Sequence, residues 1–227
     1  MTTNTSVTDS SRSPSESPSI SLGISTQISS FDLSINTPFV ITVVLMLHYS
    51  NPITFRKTDT RFFMNPLQSP GLEFTNIRTG KTQVGMRVDV CYFRSDDSDL
   101  PVEAYKKEWL TLFPGQPYTL DARIKQCGGE GGRMRTLAEQ ESGLEGRPTS
   151  LKWPMVHQLR DGETFEIKLN DGARVKRWIE GTLEEILHSS TEGKTPVHVE
   201  RPIEFEVKST ARFKVKRPDH DGSLNWL

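Results

Sequence analysis

The chain has 227 residues, with 28 Lys or Arg and 29 Asp or Glu, for a formal net charge of −1. That balance excludes the basic excess on which a dedicated nucleic-acid binder or a polybasic membrane anchor depends. The longest apolar run, Pro38 to Leu47, is about half of the roughly 20 residues a membrane-spanning helix needs. Cys91 and Cys127 are too few for a disulfide scaffold.

Residues 1–19 contain eleven Ser or Thr and almost no large apolar side chain. Such a stretch buries too little surface to offset its ordering entropy and reads as a disordered tail. It has no apolar core of the length a secretory signal uses, so the expected location is cytoplasmic and both thiols are expected to be reduced. Asn4-Thr5-Ser6 then has no glycosylation role. Ser13-Pro14 and Ser17-Pro18 fit the substrate pattern of a proline-directed kinase; an unmodified, solvated tail accounts for them equally well.

From residue 20 the hydrophobic pattern takes period two, the spacing of a strand with one buried and one wet face. Ser21–Ile24 is a first candidate. Phe31, Leu33 and Ile35 alternate with Asp32, Ser34 and Asn36. Between Phe39 and Tyr49 both faces are apolar: Phe39, Ile41, Val43, Leu45 and Leu47 line one, while Val40, Val44 and Met46 stand on the other and call for a loop, a helix or a partner to cover them. Ile53–Lys57 and Leu72–Ile77 follow. Val84, Met86, Val88, Val90 and Tyr92 alternate with Arg87, Asp89 and Cys91. Tyr118, Leu120, Ala122 and Ile124 share a face, as do Phe165, Ile167 and Leu169. The last strand is the longest, with Ile203, Phe205, Val207, Ala211, Phe213 and Val215 opposite Glu204, Glu206, Lys208, Arg212, Lys214 and Lys216. Turn signals punctuate the series at Asn51-Pro52, Ser69-Pro70-Gly71, Thr79-Gly80, Pro114-Gly115, Asp161-Gly162 and Asp171-Gly172. Strands with one wet face predict antiparallel sheets.

Two segments depart from this pattern. Residues 126–150 are glycine-dense and predict a flexible insertion between strands. Thr182-Leu183-Glu184-Glu185 fits a capping box and predicts a short helix, Leu183–His188; Val175, Trp178, Ile179, Leu183, Ile186 and Leu187 also fit helical spacing, but Gly181 favours a break with Arg174–Ile179 extended. The expectation is an all-β antiparallel sandwich: one domain over 20–218 containing the 126–150 insertion and one short helix before the last strand, with residues 219–227 as a C-terminal tail.

Motifs of known chemistry are missing. His48, His157, His188, His198 and His220 form no pair at i, i+4, HExxH is absent, and no CxxC occurs, so no metal site is predicted from local spacing. Gly80-Lys81-Thr82 ends like a P-loop, but Thr75 stands where the pattern needs glycine and a strand follows where a helix is required; Thr79-Gly80 reads as a hairpin turn. Gly128-Gly129-Glu130-Gly131-Gly132 lacks the spacing of a dinucleotide loop. There is no GxSxG elbow. Cys127, near Lys125 and Arg133, has no base tied to it and reads as an incidental thiol. Asp96-Asp97 and Glu184-Glu185 read as solvated pairs. Lys208, Arg212, Lys214, Lys216 and Arg217 form a stripe that Glu204 and Glu206 partly neutralise, with no aromatic residues to stack bases. No catalytic, cofactor-binding or metal-binding residue is assigned.

Three stretches, taken in order, carry a more specific pattern: PFVITVVLMLHYSNPITFRKTDT at 38–60, GLEFTNIRTGKTQVGMRVDVCYF at 71–93 and LTLFPGQPYTLDARI at 110–124. With Phe74–Gly80, Gly85–Tyr92 and Leu112–Gly115 in the key places, residues 20–125 resemble the Ig-like non-catalytic region of fungal lysine-specific, deuterolysin-type metalloendopeptidases. The free-standing intracellular fungal proteins of that pattern are a still nearer likeness. The resemblance implies an Ig-like fold and no active residue, because the peptidase zinc motif is absent.

The function expected is a non-enzymatic β-sandwich interaction protein, with a protein partner or homodimer contact at the second apolar face of residues 39–49 and no nucleic acid or membrane insertion. The alternative is an accessory protein of a fungal secondary-metabolite pathway, or a cyclase- or isomerase-type enzyme of one. Trp109, Trp153, Trp178 and Tyr118 would then line an apolar pocket between the sheets, although aromatic core packing explains them as well. A peptidase-inhibitor role rests on fold analogy alone.

Overall fold

The structure is a computed structural model describing residues 17–32, 37–84, 100–124, 159–191 and 197–216. Its strands assemble into two five-stranded sheets and one three-stranded sheet. The first sheet runs β10 (Arg174–Val175), β12 (Ile203–Ser209), β1 (Ser19–Thr26), β3 (Phe39–His48), β8 (Pro117–Ile124). The second runs β2 (Ser30–Asp32), β13 (Ala211–Lys216), β9 (Thr164–Leu169), β5 (Leu72–Asn76), β6 (Thr82–Val84). The small sheet is β11 (Ile179–Glu180), β4 (Ile53–Arg56), β7 (Trp109–Leu112).

The alternation read from the sequence becomes one shared core. Ile20, Leu22 and Ile24 of β1 and Ile41, Val43, Leu45 and Leu47 of β3 are buried from the first sheet; Phe74, Phe165, Ile167, Phe213 and Val215 are buried from the second. Phe213 is the hub. Its ring centroid lies 4.9 Å from Phe39 on the opposite sheet, and 6.2, 6.2 and 5.6 Å from Phe31, Phe74 and Phe165. Each such ring contributes about 1.5–3 kcal/mol through removal from water. Phe62 and Phe63, on a 3-10 turn at Arg61–Phe63, close one region of this core against Phe205 at 5.5 and 5.9 Å.

Two expectations are corrected. The sheets are mixed rather than antiparallel: β1 pairs in parallel with β12 and β2 in parallel with β13, while the other strand-to-strand ladders are antiparallel. A wet face tells how a strand is covered, not which way its neighbour runs. The predicted single last strand is two strands, with Thr210 between them: β12 belongs to the first sheet and β13 to the second. A strand that bends from sheet to sheet at a corner keeps its inward parity, so the sequence pattern passes through the corner unbroken. Near that corner Val207 is 41% exposed although its parity is apolar. Of the residues assigned to the 1–19 tail, Ser19 belongs to β1, and residues 1–16 lie outside the described residues.

The helix α1 spans Leu183–Thr191, beginning at the predicted residue and running three residues longer. Its capping box is formed: Thr182 N donates to Glu185 Oε2 at 2.8 Å, Thr182 Oγ1 to the same oxygen at 2.9 Å, and Glu185 N to Thr182 Oγ1 at 3.2 Å. The break before it falls at Gly181, whose φ of +113° is a conformation that a side chain opposes. The Thr79-Gly80 hairpin is present. Asn76 Oδ1 accepts from Arg78 N and Thr79 N at 3.0 and 3.1 Å, and β6, a strand rather than a helix, follows. The 3-10 segments at Lys57–Asp59, Arg61–Phe63 and Glu103–Glu108, strand β7 and the small sheet had no counterpart in the sequence reading. The insertion at 126–150, most of the strand predicted at 84–92, and residues 33–36 and 219–227 lie outside the described residues.

Candidate functional site: the outer face of the first sheet

Because strand side chains alternate, the residues of β3 that do not enter the core point outward. The structure separates the three predicted apolar members of that face. Val40 is 8% exposed, Met46 is half-buried, and Val44 is 37% exposed. Val44 stands open because its neighbours are small: cross-strand pairing sets Gly23 of β1 on one side and Thr119 of β8 on the other.

Around Val44 the face is polar and cross-linked by hydrogen bonds. Thr42 Oγ1 donates to Asp121 Oδ1 at 2.9 Å, and Ser25 Oγ donates to Thr42 O at 3.4 Å. His48 Nε2 and Ser21 Oγ are 2.7 Å apart. Farther across the sheet, Arg174 pairs with Glu204 at 2.9 Å, and Lys208 pairs with Glu206. Both signs of charge therefore border a patch of Ser, Gly and Thr centred on one valine.

The aromatic residues considered for a pocket do not share one lining. Trp109 packs with Ile179 and Ile186 in a small separate cluster, its ring 6.3 Å from that of His198. Trp178 belongs to the main core, edge-on to Tyr49 at 6.1 Å, and its Nε1 donates to Arg201 O at 3.0 Å. Tyr118 packs on the main core with Phe63 at 6.3 Å, and burial raises its phenol pKa. Trp153 lies outside the described residues.

The basic stripe is divided by the corner at Thr210. Lys208 stays on the first sheet, and Arg212, Lys214 and Lys216 go to the second. Arg212 Nη2 meets Glu166 Oε1 at 3.1 Å, and Lys216 Nζ meets Asp32 Oδ2 at 2.9 Å, so these cations are neutralised in place. Glu166 also takes Lys168 at 2.8 Å. The hydrogen bonds from Lys168 and then Arg212 hold its carboxyl below the usual range.

Among the described residues no group of three or more His, Cys, Asp or Glu is placed to hold a metal ion, and no helix is long and apolar enough to cross a membrane. His48, His188 and His198 stand on β3, on α1 and beside the Trp178–Val199 bridge. His157, His220, Cys91, Cys127, Lys125, Arg133, Arg217, Asp96 and Asp97 lie outside the described residues.

One network was not legible in the sequence. Glu180 Oε2 accepts from Tyr49 Oη at 2.9 Å, and Glu180 Oε1 accepts from Asn51 Nδ2 at 2.6 Å. It ties the β3–β4 turn to β11, and its members are more than a hundred residues apart with no local signal. Compared with family models, with curated proteins and with solved structures, the chain matches none.

Proposed function

We propose that the chain is a non-enzymatic interaction protein of Ig-like β-sandwich type, working in the cytosol, whose outer first-sheet face pairs with a second copy of the same chain. The observation that carries this reading is Val44, 37% exposed at the centre of a small-residue face bordered by both signs of charge. A two-fold contact sets a patch against itself, so a mixed-charge rim around an apolar centre is self-complementary. The deuterolysin-type resemblance agrees with this reading, since it implies a sandwich without catalytic residues. An apolar-pocket enzyme draws no support from the aromatic residues, because Trp109 packs apart from Trp178 and Tyr118.

The test is light scattering on the purified chain across a concentration series, with Val44→Lys beside it. A mass that rises to twice the monomer in the wild type and not in the variant is the expected result. A wild-type monomer at every concentration overturns the reading.

A further inference from the structure

Ser17 is exposed and stands two residues before β1, followed by Pro18. Its Oγ accepts a hydrogen bond from Arg201 Nη1 at 2.9 Å. The backbone of Arg201 is fixed: its carbonyl accepts the indole N–H of the buried Trp178, and Pro202 leads directly into Ile203 at the start of β12. The parallel register Ile20↔Phe205 places the segment before β1 beside the segment before β12.

Arg201 differs from the other arginines of this region in what it holds. Arg56 pairs with Glu108, Arg174 with Glu204, Arg177 with Asp59 and Arg212 with Glu166. Among the described residues no carboxylate pairs with the Arg201 guanidinium, and the acceptor it reaches is a neutral hydroxyl. A guanidinium carries five N–H donors in a planar fork suited to phosphate, and a single hydroxyl oxygen uses one of them. An exposed serine before proline, already within hydrogen-bond distance of an arginine with spare donors, is thus present in one place.

We propose that Ser17 is a phosphorylation site and that Arg201 receives the phosphoserine, clasping the start of β1 to the start of β12. The donor is ATP, acting through a proline-directed serine/threonine kinase. The Ser17 Oγ–P bond forms as the bond from the γ-phosphorus to the β–γ bridging oxygen breaks. The hydroxyl proton goes to the kinase base, and ADP leaves. The product carries a charge of about −1.5 to −2 and three strong acceptor oxygens where a neutral hydroxyl stood. Glu200 beside Arg201 opposes the new charge, and Glu204 is already held by Arg174. The contact with Arg201 is direct, so attraction exceeds the repulsion at the longer distances.

The full-length chain is treated with ATP and a proline-directed kinase, the phosphate is located by mass spectrometry, and melting is compared before and after. Wild type, Ser17→Ala, Arg201→Gln and Arg201→Lys are run together. The expected result is phosphate on Ser17 and a wild-type Tm raised by about 2–4 °C, with the rise shrinking in high salt. The rise is absent in Ser17→Ala, lost in Arg201→Gln and partly kept in Arg201→Lys. Three results overturn the proposal: Ser17 left unmodified in the full-length chain while the same kinase phosphorylates Ser17 in a peptide of residues 11–22 carrying Ser13→Ala, a wild-type Tm that does not rise, or the same rise in Arg201→Gln.

Discussion

The hydroxyl oxygens of Thr54 and Thr111 lie 2.7 Å apart in the small sheet, and the direction of their hydrogen bond is fixed by what surrounds them. Thr54 Oγ1 is also 2.8 Å from the carbonyl of Gly181, which can only accept, so the Thr54 proton goes there. Thr111 is then the donor to Thr54, and its own oxygen accepts Leu183 N at 3.1 Å. A one-way chain of hydrogen bonds runs from the first residue of α1 through two threonines to the glycine just before that helix. It docks the helix on the sheet with no charged group.

Thr54 is fully buried, and its replacement by the near-isosteric Val takes the donor from the Gly181 carbonyl and the acceptor from the Thr111 hydroxyl, which then keeps only its bond from Leu183 N. Thr54→Val is expected to cost about 1–3 kcal/mol, read as a lower midpoint in urea denaturation. Thr111→Ser, which keeps the hydroxyl, should stay close to wild type. If both variants melted with the wild type, the chain would be irrelevant to stability.

Gly71 and Gly23 both lie in tight surroundings, but of different kinds. A Cβ on Gly71 would run into the backbone carbonyl oxygens of Pro66 and Gln68, in a turn where Leu72 N already donates to Pro66 O at 2.6 Å. A Cβ on Gly23 would meet Ser209 Oγ at 3.1 Å, a side-chain atom able to rotate away. Gly71→Ala is expected to destabilise by about 1–3 kcal/mol or more and Gly23→Ala by far less, as thermal melts would show. Equal losses would mean that the 66–72 turn relaxes freely.

Phe213 touches four other phenylalanine rings from both large sheets. Phe213→Ala is expected to cost about 3–5 kcal/mol, more than truncation of Phe205, which is half-buried at the core margin. Guanidinium unfolding of the two variants gives the ranking directly.

Glu166 accepts from Lys168 and Arg212, and these bonds depress its carboxyl pKa in the folded chain. A depressed folded pKa means stability that is present above the unfolded carboxylate range, about 4.3 for Glu, and is lost as pH falls through the lower folded value. The gap in Tm between wild type and Glu166→Gln should therefore be widest near neutrality and close as pH drops below that range. A gap that stays constant with pH would show that the carboxylate charge contributes nothing.

Much of the sheet structure was legible because strand burial writes itself locally. Thr164–Leu169 and Phe39–His48 were read almost residue for residue, and Thr182-Leu183-Glu184-Glu185 announced its own helix. What escaped was set by distant partners. The parallel pairing of β1 with β12 joins residues about 185 positions apart. Period two is the same on either side of Thr210 whichever sheet receives the chain. Trp109–Leu112 lacks clean alternation because Leu110 and Thr111 are both only half-buried, with the Thr111 hydroxyl committed to α1. The outer face of β3 was visible as apolar residues, but the small neighbours Gly23 and Thr119, which decide that Val44 is its open member, enter only through register.

The parallel seams at β1–β12 and β2–β13 carry a consequence for synthesis. Both bring a strand within residues 19–32 against one within residues 203–216, so neither large sheet can be completed until that later stretch has left the ribosome. Until then β1 has β3 on one side and a bare hydrogen-bonding edge on the other, open to strands of other nascent copies. Closure demands a long loop, which slows the final step relative to hairpin formation. During that interval crowding favours wrong pairing over closure, and a chain ending before residue 203 would lack the parallel partners of both β1 and β2.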